Sequence, residues 1–496
     1  MNFHITRPLL YTLLASQINA CMMGPDYIRP NLSVPVEFKE VKGWKSAQPR
    51  DNVQIGNWWE IFNDARLNEL EVQVTQGNQS IQQAEAQFRQ AEHLVLTAQA
   101  ALSPVGSATT TVNRFVAASG QSVAVSGLRN LFGTALSLTW QPDLWGSVRR
   151  QIEANTSNAQ ASAATMQALK LSSQAALAAA YFQLKTLDAQ KSLLDETAGA
   201  YAKTLKITKN RYAVGVAAKS DVVLAEAQTE SVRAQAINLG VQRAQFEHAI
   251  AVLMGKTPAE VALPALPLDV DPPAIPVQLP SELLERRPDI AAAERQVAAA
   301  NAQIGVAKAA YFPTFSLGVT NGFQSGFLDT LISQSHRYWS LGPAAGALTL
   351  FDGGAKNAQY KQAVDNFDAS VAGYRQTVLT AFQQVEDNLA ALRIMEEQAQ
   401  VQLKAVRAAN EGLSLTINQY QAGTVSYLNV ITAQTTALTN QVTAVQLQGS
   451  RLSAAVQLIT ALGGGWNLQM IPNSEQIGGE IKWSDYLIIP MLDQGS

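Results

Sequence analysis

The sequence predicts an α+β protein assembled from two copies of one long unit, each unit holding a pair of strands and long helices. Three observations carry this expectation. First, stretch 211–255, RYAVGVAAKSDVVLAEAQTESVRAQAINLGVQRAQFEHAIAVLMG, aligns without a gap with 419–463, QYQAGTVSYLNVITAQTTALTNQVTAVQLQGSRLSAAVQLITALG. Tyr212 falls on Tyr420, Gly215 on Gly423, Val222 on Val430, Arg243 on Arg451 and Gly255 on Gly463, each pair 208 residues apart. Such a repeat overrides chain length as a guide to organisation. Second, alternating strand-like segments follow Pro104 and Pro313. Third, each of these segments leads into a long run free of proline.

The chain begins with His4 and Arg7, followed by a short apolar core from Pro8 to Ala15, which reads as a secretory signal over residues 1–20. Cys21, the only cysteine, follows Ala20 directly, so no intrachain disulfide or multi-cysteine metal site can form. Its place fits the acylated first residue of a lipoprotein, although Ile18 and Asn19 depart from the usual pattern; the alternative is an unmodified cysteine. Residues 21–64, rich in Pro and Trp and without periodicity, read as an extended segment anchored by Trp58 and Trp59. Beyond the signal no run of 18 apolar residues occurs, which speaks against a helical inner-membrane protein and leaves a β-barrel open.

Repeat 1 is placed at 65–257. It opens with a helix from Ala65 to about Leu102, capped by Asn63 or Asp64, with Leu67, Leu70 and Val74 at helical spacing. Its strand hairpin lies at about 105–140, where Leu136-Ser137-Leu138-Thr139-Trp140 alternates. A helix running from Gly146 to about Asn210 follows, then the tip at 211–221 and a returning helix. A proline-dense linker, 258–280, must be extended. Repeat 2, 281–463, has the same order: a helix in which Pro288 suits the first turn, and a hairpin at about 314–350. In that hairpin 314–320 alternates strictly, 343–350 is the weaker strand and the loop is placed at 325–338; then come a long helix from Gly354, a tip at 419–429 and a last helix. Residues 464–496 show no clear pattern.

Four strands per chain cannot close a barrel, and an open edge in lipid leaves backbone groups unpaired. Combining several chains is the simplest escape. Three would give twelve strands, and other multiples satisfy the same arithmetic. Charged residues are 15% of the chain, against roughly 25% in an average globular protein. Ala, Gln, Ser, Thr and Asn take their place, as suits a large wetted wall. A net charge of −3 gives no footprint for nucleic acid.

Several motifs in order resemble one family: Cys21 with GPDYIRP, WWEIFNDARLNEL, LSLTWQPDLWGSVRR, ELLERRPDIAAAERQVAAANAQIGVAKAAYFPTFSL, LTLFDGG and ALGGGW. They resemble the outer-membrane factors, the TolC-like channels, and within them the NodT-type lipoproteins of RND multidrug efflux systems. The resemblance covers nearly all of the chain after residue 20. It implies an α+β membrane channel: a homotrimer whose four strands per chain join a twelve-stranded outer-membrane β-barrel, with long coiled-coil helices forming a periplasmic α-barrel and 464–496 in an equatorial belt. It implies a passive exit duct for drugs and other small molecules, partnered by a periplasmic adaptor (membrane fusion) protein, an inner-membrane RND transporter and outer-membrane lipid. The alternatives are the duct of a type I protein secretion system or a lipid-anchored periplasmic coiled-coil scaffold.

By the same resemblance the hairpin tips form the periplasmic end. Gly215, Val216, Asp221 and Gly423 fall on the adaptor-docking turns. Tyr420 falls on a gate tyrosine and Leu428 on a constricting leucine. Asn429 stands where many relatives have Asp, and Thr432 replaces an acidic ring, so the gate is expected to be apolar and neutral. Cys21 is the expected lipid attachment site. No enzyme is expected, nor any cofactor or metal. His4, His93, His248 and His336 are scattered without metal-ligand spacing, and Gly255-Lys256-Thr257 lacks the upstream glycine of a phosphate loop because residue 250 is Ile.

Overall fold

The computed structural model of the protein describes residues 22–32, 38–40, 57–116, 128–275 and 286–479. Eleven strands and helices of these ranges build the two halves. Helix α1, Ala65–Gly77, starts where the Asp64 carboxylate accepts from the amides of Arg66 and Leu67. Asn78 then caps a separate helix, α2, Gln79–Ala100, through the amides of Ser80 and Ile81. The single helix expected from Ala65 to Leu102 is therefore two: Asn78 leaves the helical conformation (φ −66°, ψ 117°), and its side-chain amide donates to the Leu253 carbonyl at 2.8 Å while its oxygen caps α2.

Strands β1, Val105–Val116, and β2, Leu128–Trp140, lead into α3, Ser147–Ala213, which at 1.5 Å per residue is roughly 100 Å long. Helix α4, Lys219–Leu253, returns alongside it. The second half follows with α5, Pro288–Ala309, β3, Thr314–Ser325, β4, Arg337–Ala347, α6, Ala355–Ala422, and α7, Tyr427–Ala461. Pro288 occupies the first turn of α5, where no amide is missed. Strand β4 begins six residues earlier than the expected 343, because Tyr338, Trp339, Ser340 and Leu341 continue the ladder against β3 down to Phe323. The segment 348–350 lies outside it.

The four strands form one antiparallel sheet in the order β1-β2-β3-β4, so both outer edges are unpaired within the chain. Register separates its two faces. Leu138, Val319 and Leu341 are opposite one another on one face, as are Leu136, Asn321 and Trp339. The other face carries Ser107, Thr109, Ser137 and Thr320, and the Ser137 and Thr320 hydroxyls lie 3.3 Å apart there. One face is apolar and one polar, yet most large side chains of both are exposed within the chain.

The main core sits where the halves meet. Leu67, Leu70 and Val74 of α1 pack with Leu177, Tyr181 and Leu184 of α3, and with Leu452, Val456 and Leu458 of α7. Trp58 and Trp59 are buried beside them with rings 5.9 Å apart in an edge-on pair. The proline-dense stretch is strapped across this region. Lys185 Nζ lies 3.0 Å from Asp64 and 2.9 Å from Asp269, while Gln448 donates to the Val270 carbonyl.

Gly255 and Gly463 show why the repeat keeps glycine there. Both have positive φ, and a Cβ would collide with the carbonyl oxygen of Gly77 at the first and of Arg286 at the second. Among the described residues no helix is long and apolar enough to cross a membrane.

Candidate functional site

The far end of the molecule from the sheet is made by two turns, α3–α4 and α6–α7. Each ends its long helix in the same way. Gly215 (φ 79°) donates its amide to the Tyr212 carbonyl, and Val216 donates to Arg211. Gly423 (φ 81°) donates to Tyr420, and Thr424 to Gln419. This pair of bonds around a left-handed residue is the Schellman stop, and glycine is its natural occupant. No side-chain crowding requires either glycine, so the positive φ alone explains both. Asp221 stands in the first turn of α4, where a negative charge suits the helix N-terminus. Val216 is exposed.

The halves differ in what the conserved geometry carries. Tyr212 and Lys219 meet at 5.6 Å from ammonium to ring centroid, and the matching positions in the second half, Tyr420 and Tyr427, meet as two rings 5.4 Å apart. Tyr212 is 45% exposed while Tyr420 is 3% exposed. Tyr420, Tyr427, Val430 and Ala225 form the tip's own small core, flanked by Leu205, Ile417, Val425 and Ile431. Burial, then the neighbouring Tyr420, pushes the Tyr427 phenol up to about 12, so it stays neutral. The Arg211 guanidinium covers the Tyr420 ring at 4.9 Å and donates to the Gln421 carbonyl at 2.8 Å. The first tip thereby grips the second.

Tyr420 thus faces inward against α3, with its hydroxyl 3.4 Å from that of Thr208. Leu428, Asn429 and Thr432 lie instead on the exposed side of α7, with Leu428 64% exposed. Asn429 accepts from the Ser426 hydroxyl at 3.1 Å. Thr432 and Thr436 donate back to the carbonyls of Leu428 and Thr432. Their hydroxyls are satisfied locally, leaving an uncharged wall. From Gly412 to Ser450 no Asp, Glu, Lys, Arg or His occurs, whereas the matching stretch 204–242 holds Lys206, Lys209, Arg211, Lys219, Asp221, Glu226, Glu230 and Arg233. Cys21 lies outside the described residues; the segment just after it is fixed, with Met23 donating to the Trp145 carbonyl and Arg150 donating to the Met23 carbonyl at 3.1 Å.

Sequence reasoning missed the grip of Arg211 and a pair of clamps higher up. Arg243 pairs with Asp188 at 2.6 Å across α3 and α4, and Arg451 pairs with Glu396 across α6 and α7. Asp188 and Glu396 obey the same 208-residue offset as the two arginines, and that offset is the signal that could have found them. In the first half the clamp also holds the strap: Arg243 donates to the Leu263 carbonyl, and Asp188 accepts from the Leu266 amide.

Among the described residues no cluster of His, Cys, Asp and Glu is arranged to hold a metal. The chain matches the model of the family described as outer membrane efflux protein over residues 70–256 and 279–464, the two halves in turn. It is 32% identical to the probable efflux pump outer membrane protein TtgC of Pseudomonas putida, covering 96% of this chain and 99% of that one. It is 30% identical to nodulation protein T of Rhizobium leguminosarum bv. viciae, covering 92% of this chain and 90% of that one. Its fold superposes on the outer-membrane channel OprN with a TM-score of 0.84 at 28% identity, over 90% of this chain and all of that one.

Proposed function

Because the chain belongs to the outer membrane efflux protein family, we propose that it is the passive exit duct of a tripartite pump, with its gate on the second hairpin tip. Three chains supply twelve strands, joining the free edges of β1 and β4 and leaving no backbone group unpaired in lipid. The apolar face of the sheet then meets the membrane and the hydroxyl-rich face lines the lumen. An acyl chain on Cys21 would anchor the segment that Arg150 holds at the base of the sheet. A periplasmic adaptor and an inner-membrane RND transporter provide recognition and energy, and the cargo is a small molecule, as the efflux relatives' names suggest.

One observation carries the gate: Leu428 stands exposed at the very tip on a helix face that bears no charge. Three copies around an axis make an apolar ring, backed by Asn429 and Thr432. Tyr420 serves it from behind, as the packed support that holds α7 on α3. The turns at Gly215, Val216, Asp221 and Gly423 present the blunt end to which the adaptor docks. The test is single-channel recording in planar bilayers. Leu428→Ala should raise conductance severalfold by widening and wetting the ring, and an unchanged conductance removes Leu428 from the gate.

A further inference from the structure

On β3 and β4 the apolar face turns polar toward its distal end, while on β1 and β2 it runs one rung further, through Val112 and Phe132, before Arg114 and Asn130. The strands meet the helices at Val105, Trp140, Thr314 and Ala347, so the opposite end, with the β3–β4 loop, is distal to the periplasmic body. Moving toward that end, successive rungs on this face are Leu138–Val319–Leu341, Leu136–Asn321–Trp339 and Thr134–Phe323–Arg337. From Phe315 to Phe323 the strand covers about 26 Å at ~3.3 Å per residue. At a tilt of about 40° this is roughly 20 Å of height, close to the apolar band of an outer-membrane barrel. Asn321, Thr134 and Arg337 therefore stand where hydrocarbon gives way to headgroups.

At this level the loop folds back over the same face. Leu331 is buried, the Ser325 hydroxyl accepts from the Phe327 amide and lies 2.9 Å from that of Thr330, and Ser333 lies 2.6 Å from the His336 ring. Between loop and sheet is a cavity of about 510 Å³, lined among others by Thr134, Leu136, Asn321, Phe323, Ser333 and Arg337. Arg337 Nε donates to Asn321 Oδ1 at 3.4 Å, which sets the guanidinium beside the cavity. Among the described residues no acidic one lines it. The cavity thus joins one cation and several neutral hydrogen-bonding groups, directly above exposed Trp339 (73%) and Leu341 (79%).

We propose that this cavity binds the phosphorylated headgroup of an outer-leaflet lipid, with the acyl chains lying on Leu136, Leu138, Trp339 and Leu341. A planar guanidinium matches a phosphate through two parallel hydrogen bonds, and an arginine at the interface carries little of the penalty it would incur at mid-membrane. The cavity lies at headgroup level directly above the apolar rungs, so a phosphate carried by a lipid also places its acyl chains on Leu136, Leu138, Trp339 and Leu341, a contact that a soluble anion cannot make. That geometry selects a lipid-borne phosphate. The inference rests on the barrel reading above, and each assembled channel would hold three such sites.

The experiment is native mass spectrometry of the full-length, delipidated oligomer titrated with diphosphoryl lipid A, its dephosphorylated form or inorganic phosphate. Diphosphoryl lipid A should bind the unaltered channel, with the dephosphorylated form about tenfold weaker. Arg337→Gln should bind diphosphoryl lipid A about tenfold more weakly, the size expected for losing a charge-assisted hydrogen bond. Arg337→Lys should recover part of that loss, and Asn321→Ala should weaken binding by about threefold. Thr320→Ala, on the polar face, should bind as the unaltered channel does. Equal binding by Arg337→Gln, equal binding of the dephosphorylated lipid, or displacement of the lipid by micromolar phosphate would each overturn the proposal. Conductance of the same samples keeps the two readings apart: conducting channels with unaltered lipid binding refute the lipid site alone, whereas an unaltered protein that forms no channel refutes the barrel.

Discussion

Replacing Glu71 should change how the stability of this protein depends on pH. Glu71 lies in α1 and is fully buried, with neither carboxylate oxygen hydrogen-bonded. Burial alone, with no charged neighbour contributing, raises its pKa from 4.5 to about 9. The raised value means that the folded protein holds a proton that the unfolded chain releases. Below about pH 4.5 both states are protonated and burial of the carboxyl carries no ionisation penalty. Between about 4.5 and 9 the penalty grows by ~1.4 kcal/mol per pH unit, and above that it is constant. At pH 7 the loss is about 3 kcal/mol per chain, from some 2.5 units of that window. Glu71→Gln removes the titration and keeps the shape. The assay is the temperature at which the oligomer dissociates and unfolds in detergent, measured from pH 5 to pH 8. The melting temperature of the unaltered protein should fall relative to Glu71→Gln as pH rises, with the gap widening throughout. Parallel profiles would mean that Glu71 ionises in the folded state without hindrance, contrary to its burial.

Two further outcomes follow from the tip and from the repeat. The uncharged stretch around Thr432 leaves nothing to bind a multivalent cation, so periplasmic-side trivalent cations should not block single-channel current. Thr432→Asp, by installing three carboxylates on the exposed face, should create a block that weakens at high salt; block of the unaltered channel would contradict the neutral gate. Gly463→Ala places a Cβ against the Arg286 carbonyl at a φ of 97°, and should lower stability by at least ~2 kcal/mol, read as a lower dissociation temperature of the oligomer.

The tips show where reading the sequence ends. Leu428, Asn429 and Thr432 follow one another at spacings of one and three, and the chain alone places them on one helical stretch. That Tyr420 is not on the exposed face with them was not legible, because Tyr212 and Tyr420 sit at equivalent repeat positions with identical side chains. Within the chain Tyr420 is the buried one: Tyr427 stands where the first half has Lys219, Arg211 reaches across from the other hairpin, and Ala225 and Thr208 pack against it. Likewise Arg243 and Arg451 were visible as a pair, but their acids are 55 residues away on another helix. Only the packing of α3 on α4 and of α6 on α7 brings them into contact.

By itself, then, the sequence determined the repeat, the four strands and the long helices. Each of these is written in local periodicity: a spacing of two along the strands, the spacing of a helical turn along the runs, and glycine where the backbone must turn with positive φ. Tertiary structure decided the break at Asn78, the early start of β4 at Arg337 and the inward turn of Tyr420. It also decided the cavity under the β3–β4 loop. Each of these depends on a partner distant in the chain: the Leu253 carbonyl for the Asn78 amide, Phe323 for Arg337, Arg211 for Tyr420, and Thr134 and Asn321 for the loop. A side chain's local pattern offers it two faces or two conformations, and only contact with a distant neighbour makes one of them lower in free energy.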